Sequence, residues 1–185
     1  KDAGMKYIII TSKHHDGFCL WPSRHTDYCT KNSPGRPDIV GRYVESFRRA
    51  GLRPGLYYSL WDRNYPRYED DAAYADYVFA QIEELLTNYG PITEVWWDGA
   101  CGEGPNGKRQ VYDWDGYIKV VRELQPGAVI FGQGPDVRWV GNEAGWAPYP
   151  AWNSVAAVDG RTGVATAKHG DPDGDLWMPL EVDTV

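Results

Sequence analysis

Three short clusters hold the residues of this chain best suited to chemistry: Lys13-His14-His15-Asp16-Gly17, Trp96-Trp97-Asp98-Gly99 and Trp139-Val140-Gly141-Asn142-Glu143. Each follows a run that reads as a β-strand. If those strands are parallel, the clusters meet at one end of a sheet and gather two carboxylates, two imidazoles and several indoles. Two carboxylates flanking one bond are what cleavage of a glycosidic linkage requires: one attacks the anomeric carbon, the other protonates the departing oxygen. Indoles and imidazoles add stacking faces and hydrogen bonds suited to a hydroxyl-rich ligand. Other readings of the same residues stand beside this one. Asp98-Gly99 is also a common turn pair. Glu103, on the loop after the Asp98 strand, competes with Glu143 for the second carboxylate, although a residue from a later strand reaches across a sugar more naturally. His14, His15 and Asp16 with Asp98 invite a metal, but adjacent histidines on a strand point to opposite faces and no HExxH pattern is present.

The elements that must position these residues alternate between strand and helix. Lys6–Thr11 reads as an apolar strand buried on both faces. Pro37–Ala50 reads as a helix with Ile39, Tyr43, Val44 and Phe47 along one face, stopped by Gly51. Leu52–Leu60 is the next strand. Asp70–Tyr89 is a long helix with Tyr74, Tyr77, Val78, Ile82, Leu85 and Leu86 at helical spacing, its acidic start suited to the helix N-terminus and Gly90 to its stop. Ile92–Trp97 is a strand, Asp113–Leu124 a helix closed by Pro126-Gly127, Ala128–Phe131 a strand, and Arg138–Val140 a very short one. From Glu143 to Asp175 the chain reads as a long loop, and Trp177–Val182 as a last strand. Such alternation implies a parallel sheet with right-handed crossovers. With no Gly-rich phosphate turn after the first strand, and with polar residues at several strand ends, a (β/α)8-type barrel is expected over an open doubly wound sheet. A complete barrel needs roughly 250 residues, so the 185 here are expected to be one catalytic domain with only part of a barrel, cut at both ends.

Composition narrows the partners. A formal charge of −7 with scattered basic residues argues against nucleic acid, whose affinity comes from lysine and arginine neutralising phosphates. No apolar run is long enough for a membrane span. The 9 Trp and 13 Tyr exceed what a core readily hides, because indole N–H and phenol groups want partners. The three cysteines, Cys19, Cys29 and Cys101, form no CxxC pair and so no structural zinc site; a Cys19–Cys29 bridge stays open.

Nearly the whole chain, Gly4 to Thr184, resembles the α-L-fucosidases of glycoside hydrolase family 29. The resemblance is carried by KHHDGFCLWPS (Lys13–Ser23), PDIVG (Pro37–Gly41), GLRPGLYYSLWD (Gly51–Asp62), WWDGACGEGPNG (Trp96–Gly107) and WMPLEVDT (Trp177–Thr184). WVGNEAG (Trp139–Gly145) is similar to the subgroup acting on α-1,3 and α-1,4 fucosyl linkages. The resemblance implies a retaining mechanism without cofactor, with Asp98 as nucleophile and Glu143 as acid/base. It implies that His14 and His15 hydrogen-bond fucose hydroxyls, and that Tyr57 (rather than its neighbour Tyr58), Trp96, Trp139 and Trp21 line the pocket. The substrate implied is a fucosylated oligosaccharide or glycoconjugate, and the compartment implied is extracellular or periplasmic. Strands that supply a further histidine and an acidic-Trp pair in the family, and a later segment with an arginine, have no counterpart in these residues. Two rivals therefore accompany the glycosidase reading: a non-catalytic fucose- or glycan-binding fragment and a metal-dependent barrel hydrolase.

Overall fold

The computed structural model describes residues 1–156 and 169–183, which fall into two compact units, Lys1–Ala128 and Val129–Val185. The first unit runs β1 (Tyr7–Lys13), a 3₁₀ turn at Thr30–Asn32, α1 (Ile39–Arg49), β2 (Arg53–Ser59), α2 (Asp71–Asn88), β3 (Glu94–Asp98) and α3 (Trp114–Leu124). β1, β2 and β3 pair in parallel in that order, as strand–helix alternation requires.

Each helix of this unit starts at an aspartate whose carboxylate accepts from a backbone N–H three residues on: Asp38 from Gly41, Asp70 from Ala73 and Asp113 from Gly116. That bond satisfies one of the donors a helix leaves unpaired at its first turn. α1 ends as its sequence suggests. Gly51 sits at φ +78°, its N–H reaches Arg48 O and the Leu52 N–H reaches Phe47 O, the paired bonds of a glycine-capped helix end.

The face of α2 read from spacing is buried as expected: Tyr74, Tyr77, Val78, Ile82, Leu85 and Leu86 are each no more than 7% exposed. Every such aliphatic side chain contributes about 2 kcal/mol by leaving water. On α1 Tyr43 and Val44 are buried and Phe47 half-buried as expected, and the departure is in the first turn. Val40, Tyr43 and Val44 are buried while Ile39 is exposed, because Ile39 follows the cap directly and lies at the helix mouth. β1 also departs from expectation. Ile8, Ile9 and Ile10 are only half-buried, since among the described residues β1 has a single neighbouring strand, β2.

The register contains one irregularity that matters for the site. Thr11 faces Tyr57, but Lys13 faces Tyr58, so Ser12 is an extra residue in β1. Its buried hydroxyl donates to Tyr57 O. A bulge re-aims the side chains that follow it. Lys13 is turned to the face that packs on α2, with Nζ 4.3 Å above the Tyr58 ring and 2.9 Å from Asp62 Oδ2; the Tyr58 hydroxyl in turn donates to Gln81 of α2.

The second unit contains β4 (Val129–Gly132), β5 (Arg138–Trp139), β6 (Ser154–Val155), β7 (Leu176–Trp177) and β8 (Leu180–Glu181). β5 pairs in parallel with β8, and β6 antiparallel with β7. The single strand expected at Trp177–Val182 is therefore two. The break falls at Pro179, which has no N–H to continue a ladder but whose carbonyl accepts from Arg138 N. The loop expected from Glu143 to Asp175 includes β6, and its residues 157–168 lie outside the described residues. Val155 and Met178 form a small buried cluster, with Leu176 packed on them. No described helix is long and apolar enough to cross a membrane.

Candidate active site

Alternation along β2 and β3 decides which side chains share a face. Tyr57 lies opposite Trp96, and Ser59 opposite Asp98, so these four project to one side while Tyr58 and Trp97 project to the other. Tyr57 and Trp96 meet edge to face with centroids 5.1 Å apart. The Tyr57 hydroxyl donates to Asp98 Oδ2. Asp98 Oδ1 accepts from the Ala100 N–H at 2.8 Å, a turn contact of the kind Asp-Gly sequences favour. Both carboxylate oxygens are thus held, and the side chain keeps 23% of its surface open to solvent.

β1 ends at Lys13, so the opposite-face rule for neighbouring histidines does not apply to His14 and His15, which lie beyond it. Their rings sit together, centroids 4.1 Å apart. His14 stacks on Tyr57 at 5.8 Å and an interplanar angle of 9°. His15 Nε2 is 3.8 Å from Asp98 Oδ2, its Nδ1 is 2.7 Å from Ser59 Oγ, and its ring tilts against Trp61 at 5.1 Å. Burial lowers the His15 imidazole below its ordinary 6.5, and the neighbouring His14 and Arg63 charges add to the drop; Asp98 and Asp16 pull the other way without cancelling it. Among the described residues no three His, Cys, Asp or Glu side chains are grouped so that they could hold a metal ion.

The turn that carries the histidines is fastened from below by the loop after β2. Arg63 N–H donates to His15 O. Asp62 receives Lys13 Nζ on one oxygen and the Asn64 and Tyr65 N–H groups on the other. Gly17, at φ +80°, closes the turn against Asp62; a Cβ there would stand 2.3 Å from Asp62 Oδ1.

The first unit therefore brings together His14, His15, Tyr57, Trp96 and Asp98. Trp21 is not among them. It is 2% exposed, and its indole N–H donates to Glu84 Oε2 of α2 at 2.9 Å, so the ring is committed to the helix side of the sheet. Burial acts to raise the Glu84 carboxyl, but hydrogen bonds from Trp21, Ser23 and Arg24 outweigh it and hold the group below its ordinary range. Glu103 is on an exposed hairpin of the first unit, bridged to Arg109, whose Nε is 3.8 Å from its carboxylate. Trp139 and Glu143 belong to the second unit. Trp139 Nε1 donates to Asp183 Oδ1 at 2.9 Å, and Glu143 is exposed in the turn after it, where Ala144 N–H donates to Asn142 Oδ1. Trp114 packs against Tyr112 and Tyr117, whereas Trp146 and Trp152 are exposed. Cys19 and Cys29 pair across a β-bridge but both are free thiols, and burial pushes the Cys19 thiol up to about 12.

Ser59, Trp61 and the Lys13–Asp62 pair are contributions that motif reading passed over. Ser59 was accessible to it, since it lies two residues after Tyr57 and shares its face. No sequence signal pairs Lys13 with Asp62, 49 residues away.

Comparison with known proteins places this geometry. The α-L-fucosidase family model matches residues 1–142. An Arabidopsis thaliana protein named α-L-fucosidase 1 is 44% identical over 99% of the chain, which spans 37% of that protein's length. The crystal structure of a glycoside hydrolase 29 family member from an unknown rumen bacterium superposes with a TM-score of 0.84 at 41% identity, covering 98% of this chain and 35% of its own. A Ruminococcus gnavus glycoside hydrolase 29 fucosidase, solved in complex with fucose, gives 0.80 at 32% identity, with coverage of 98% and 43%. The chain thus spans well under half the length of these relatives, with an α/β fold like theirs. It belongs to the α-L-fucosidase family, glycoside hydrolase family 29.

Proposed function

We propose that this chain supplies the catalytic carboxylates of a retaining α-L-fucosidase built on a (β/α)8-type barrel of which these residues form part. The observation that carries the proposal is the seating of Asp98. It stands at a strand end, held by Tyr57 and Ala100 and partly open to solvent, beside His15 and Trp96. A carboxylate so oriented can attack the anomeric carbon in line with the departing oxygen. Glu143, entering protonated, gives its proton to that oxygen. After a fucosyl–Asp98 ester has formed, Glu143 takes a proton from water, which opens the ester with overall retention.

His14, His15, Tyr57, Trp96 and Trp139 are assigned to the sugar: imidazoles to its hydroxyls, rings to its apolar face. The substrate proposed is a terminal α-L-fucose, α-1,3- or α-1,4-linked, on an oligosaccharide or glycoconjugate, as WVGNEAG suggests. Glu143 is preferred to Glu103 because Glu103 is engaged with Arg109 on an exposed hairpin.

The test is hydrolysis of p-nitrophenyl α-L-fucoside. Asp98→Ala is expected to lose on the order of a thousandfold or more in rate, about 4 kcal/mol in the barrier. Glu143→Ala with an activated fucoside and azide is expected to give α-fucosyl azide, the retained anomer, and Glu103→Gln to keep its rate. Near-normal turnover by Asp98→Ala removes the nucleophile assignment. Fucose binding without nitrophenol release by the intact protein replaces the enzyme with a binding protein.

A further inference from the structure

The hydrogen bonds behind His15 determine which of its nitrogens carries the proton. Ser59 is fully buried, and its hydroxyl has two partners: His15 Nδ1 at 2.7 Å and the Trp61 carbonyl oxygen at 3.0 Å. A serine has one hydrogen to give, and a carbonyl can only accept. With that hydrogen on Trp61 O, Ser59 Oγ must accept from His15, so Nδ1 carries the proton. The reverse arrangement leaves the Trp61 carbonyl without that donor. It also points an Nε2–H at Asp98 Oδ2 across 3.8 Å, beyond hydrogen-bond reach. Only the first arrangement satisfies all three groups.

We infer that Ser59 is a positioning residue that fixes neutral His15 as its Nδ1–H tautomer, leaving Nε2 as a bare acceptor beside Asp98. Two acceptors 3.8 Å apart, Nε2 and Asp98 Oδ2, repel one another unless a donor lies against them. The ligand group that fits is a hydroxyl, its O–H directed at Nε2. The surroundings of His15 are consistent with a neutral ring: burial, His14 and Arg63 disfavour its charge, and Asp98 and Asp16, which favour it, do not cancel them. This inference deepens the fucosidase reading and rests on it for the identity of the hydroxyl, but the tautomer itself does not depend on activity.

Two measurements on the intact protein test it. Long-range ¹H–¹⁵N correlation spectra, recorded above the imidazole titration range, distinguish a protonated ring nitrogen from a bare one, and the chain has only 4 His to assign. His15 is expected to show Nδ1–H and bare Nε2 in the wild type, and a mixture of tautomers in Ser59→Ala. For p-nitrophenyl α-L-fucoside, kcat/KM is expected to fall roughly two- to tenfold in Ser59→Ala, the scale of one net hydrogen bond, with recovery in Ser59→Thr. A wild-type His15 protonated on Nε2, or an unchanged tautomer in Ser59→Ala, overturns the inference. Wild-type protein with the expected tautomer and no fucoside hydrolysis upholds the role of Ser59 and overturns the fucosidase reading instead.

Discussion

Replacing Lys13 by methionine leaves the Asp62 carboxylate buried without its cation. The side chains of both partners are at most 1% exposed, so water cannot take over. What remains on Asp62 are the Asn64 and Tyr65 N–H bonds to Oδ1, while Oδ2 loses its ionic contact with Lys13. Removing one member of such a pair costs about 3–5 kcal/mol, because the other is left uncompensated in a poorly polarisable interior. Lys13→Met also forfeits the ammonium's position 4.3 Å over Tyr58 and 5.4 Å over Tyr77, but methionine retains most of the packing of the lysine stem. Asp62→Asn keeps the two N–H bonds and strands the ammonium instead. The double variant Lys13→Met/Asp62→Asn buries no lone charge and is expected to be no less stable than the worse single variant, giving a coupling of about 2 kcal/mol or more. Urea unfolding of all four proteins, followed by tryptophan fluorescence and compared at equal m-values, measures the cycle. Losses below about 1 kcal/mol in Lys13→Met, or additive losses in the double variant, would refute the argument that this pair holds the floor of the site.

Three further outcomes follow from the same region. His15 is expected to titrate below 6.5; Asp98→Asn removes a charge that raises it and lowers the midpoint further, while His14→Gln removes one that depresses it and moves the midpoint up, both read by NMR. Because the folded value lies beneath the unfolded one, the unfolded chain binds more protons just below pH 6.5. The His15 contribution to stability is therefore complete above that pH and declines as pH falls towards the folded value; His15→Gln is expected to flatten that part of the stability curve. Gly17→Ala places a methyl 2.3 Å from Asp62 Oδ1 at φ +80°. Asp62 is pinned by three donors and cannot step aside, so a loss of about 1–3 kcal/mol is expected, read from a lowered urea midpoint, and an unchanged midpoint would mean that the turn adapts.

How far the sequence could be read depended on the range of the interaction. Helices were legible because their signals are local: Asp38, Asp70 and Asp113 at the starts, Gly51 at one end, apolar spacing along α2. Alternation put Trp96 and Asp98 on one face and left either Tyr57 or Tyr58 to join them; the family resemblance chose Tyr57, and the register sets it opposite Trp96. Three things were hidden. Trp21 shares a motif with His14 and His15, yet whether an indole faces a cleft or a helix is settled by Glu84, 63 residues away. The pairing of His14 with His15 depended on where β1 stops, a boundary that propensity places only to within a few residues. The split at Pro179 was written in the sequence, but which two strands it separates depended on their partners, Arg138–Trp139 and Ser154–Val155.

The unpaired Ser12 in β1 bears on how this stretch can vary. Ser12 is fully buried and its hydroxyl donates to Tyr57 O, so its side chain as well as its backbone is fitted to this place. Were Ser12 paired regularly instead of bulged, it would stand opposite Tyr58 and Lys13 opposite Ser59, carrying the Lys13 ammonium to the side where the carboxylate of Asp98 lies with every side chain chemically intact. Replacement within KHHDG is a matter of degree; the pairing of the strand before it decides whether its lysine lies inside the molecule or on its working surface.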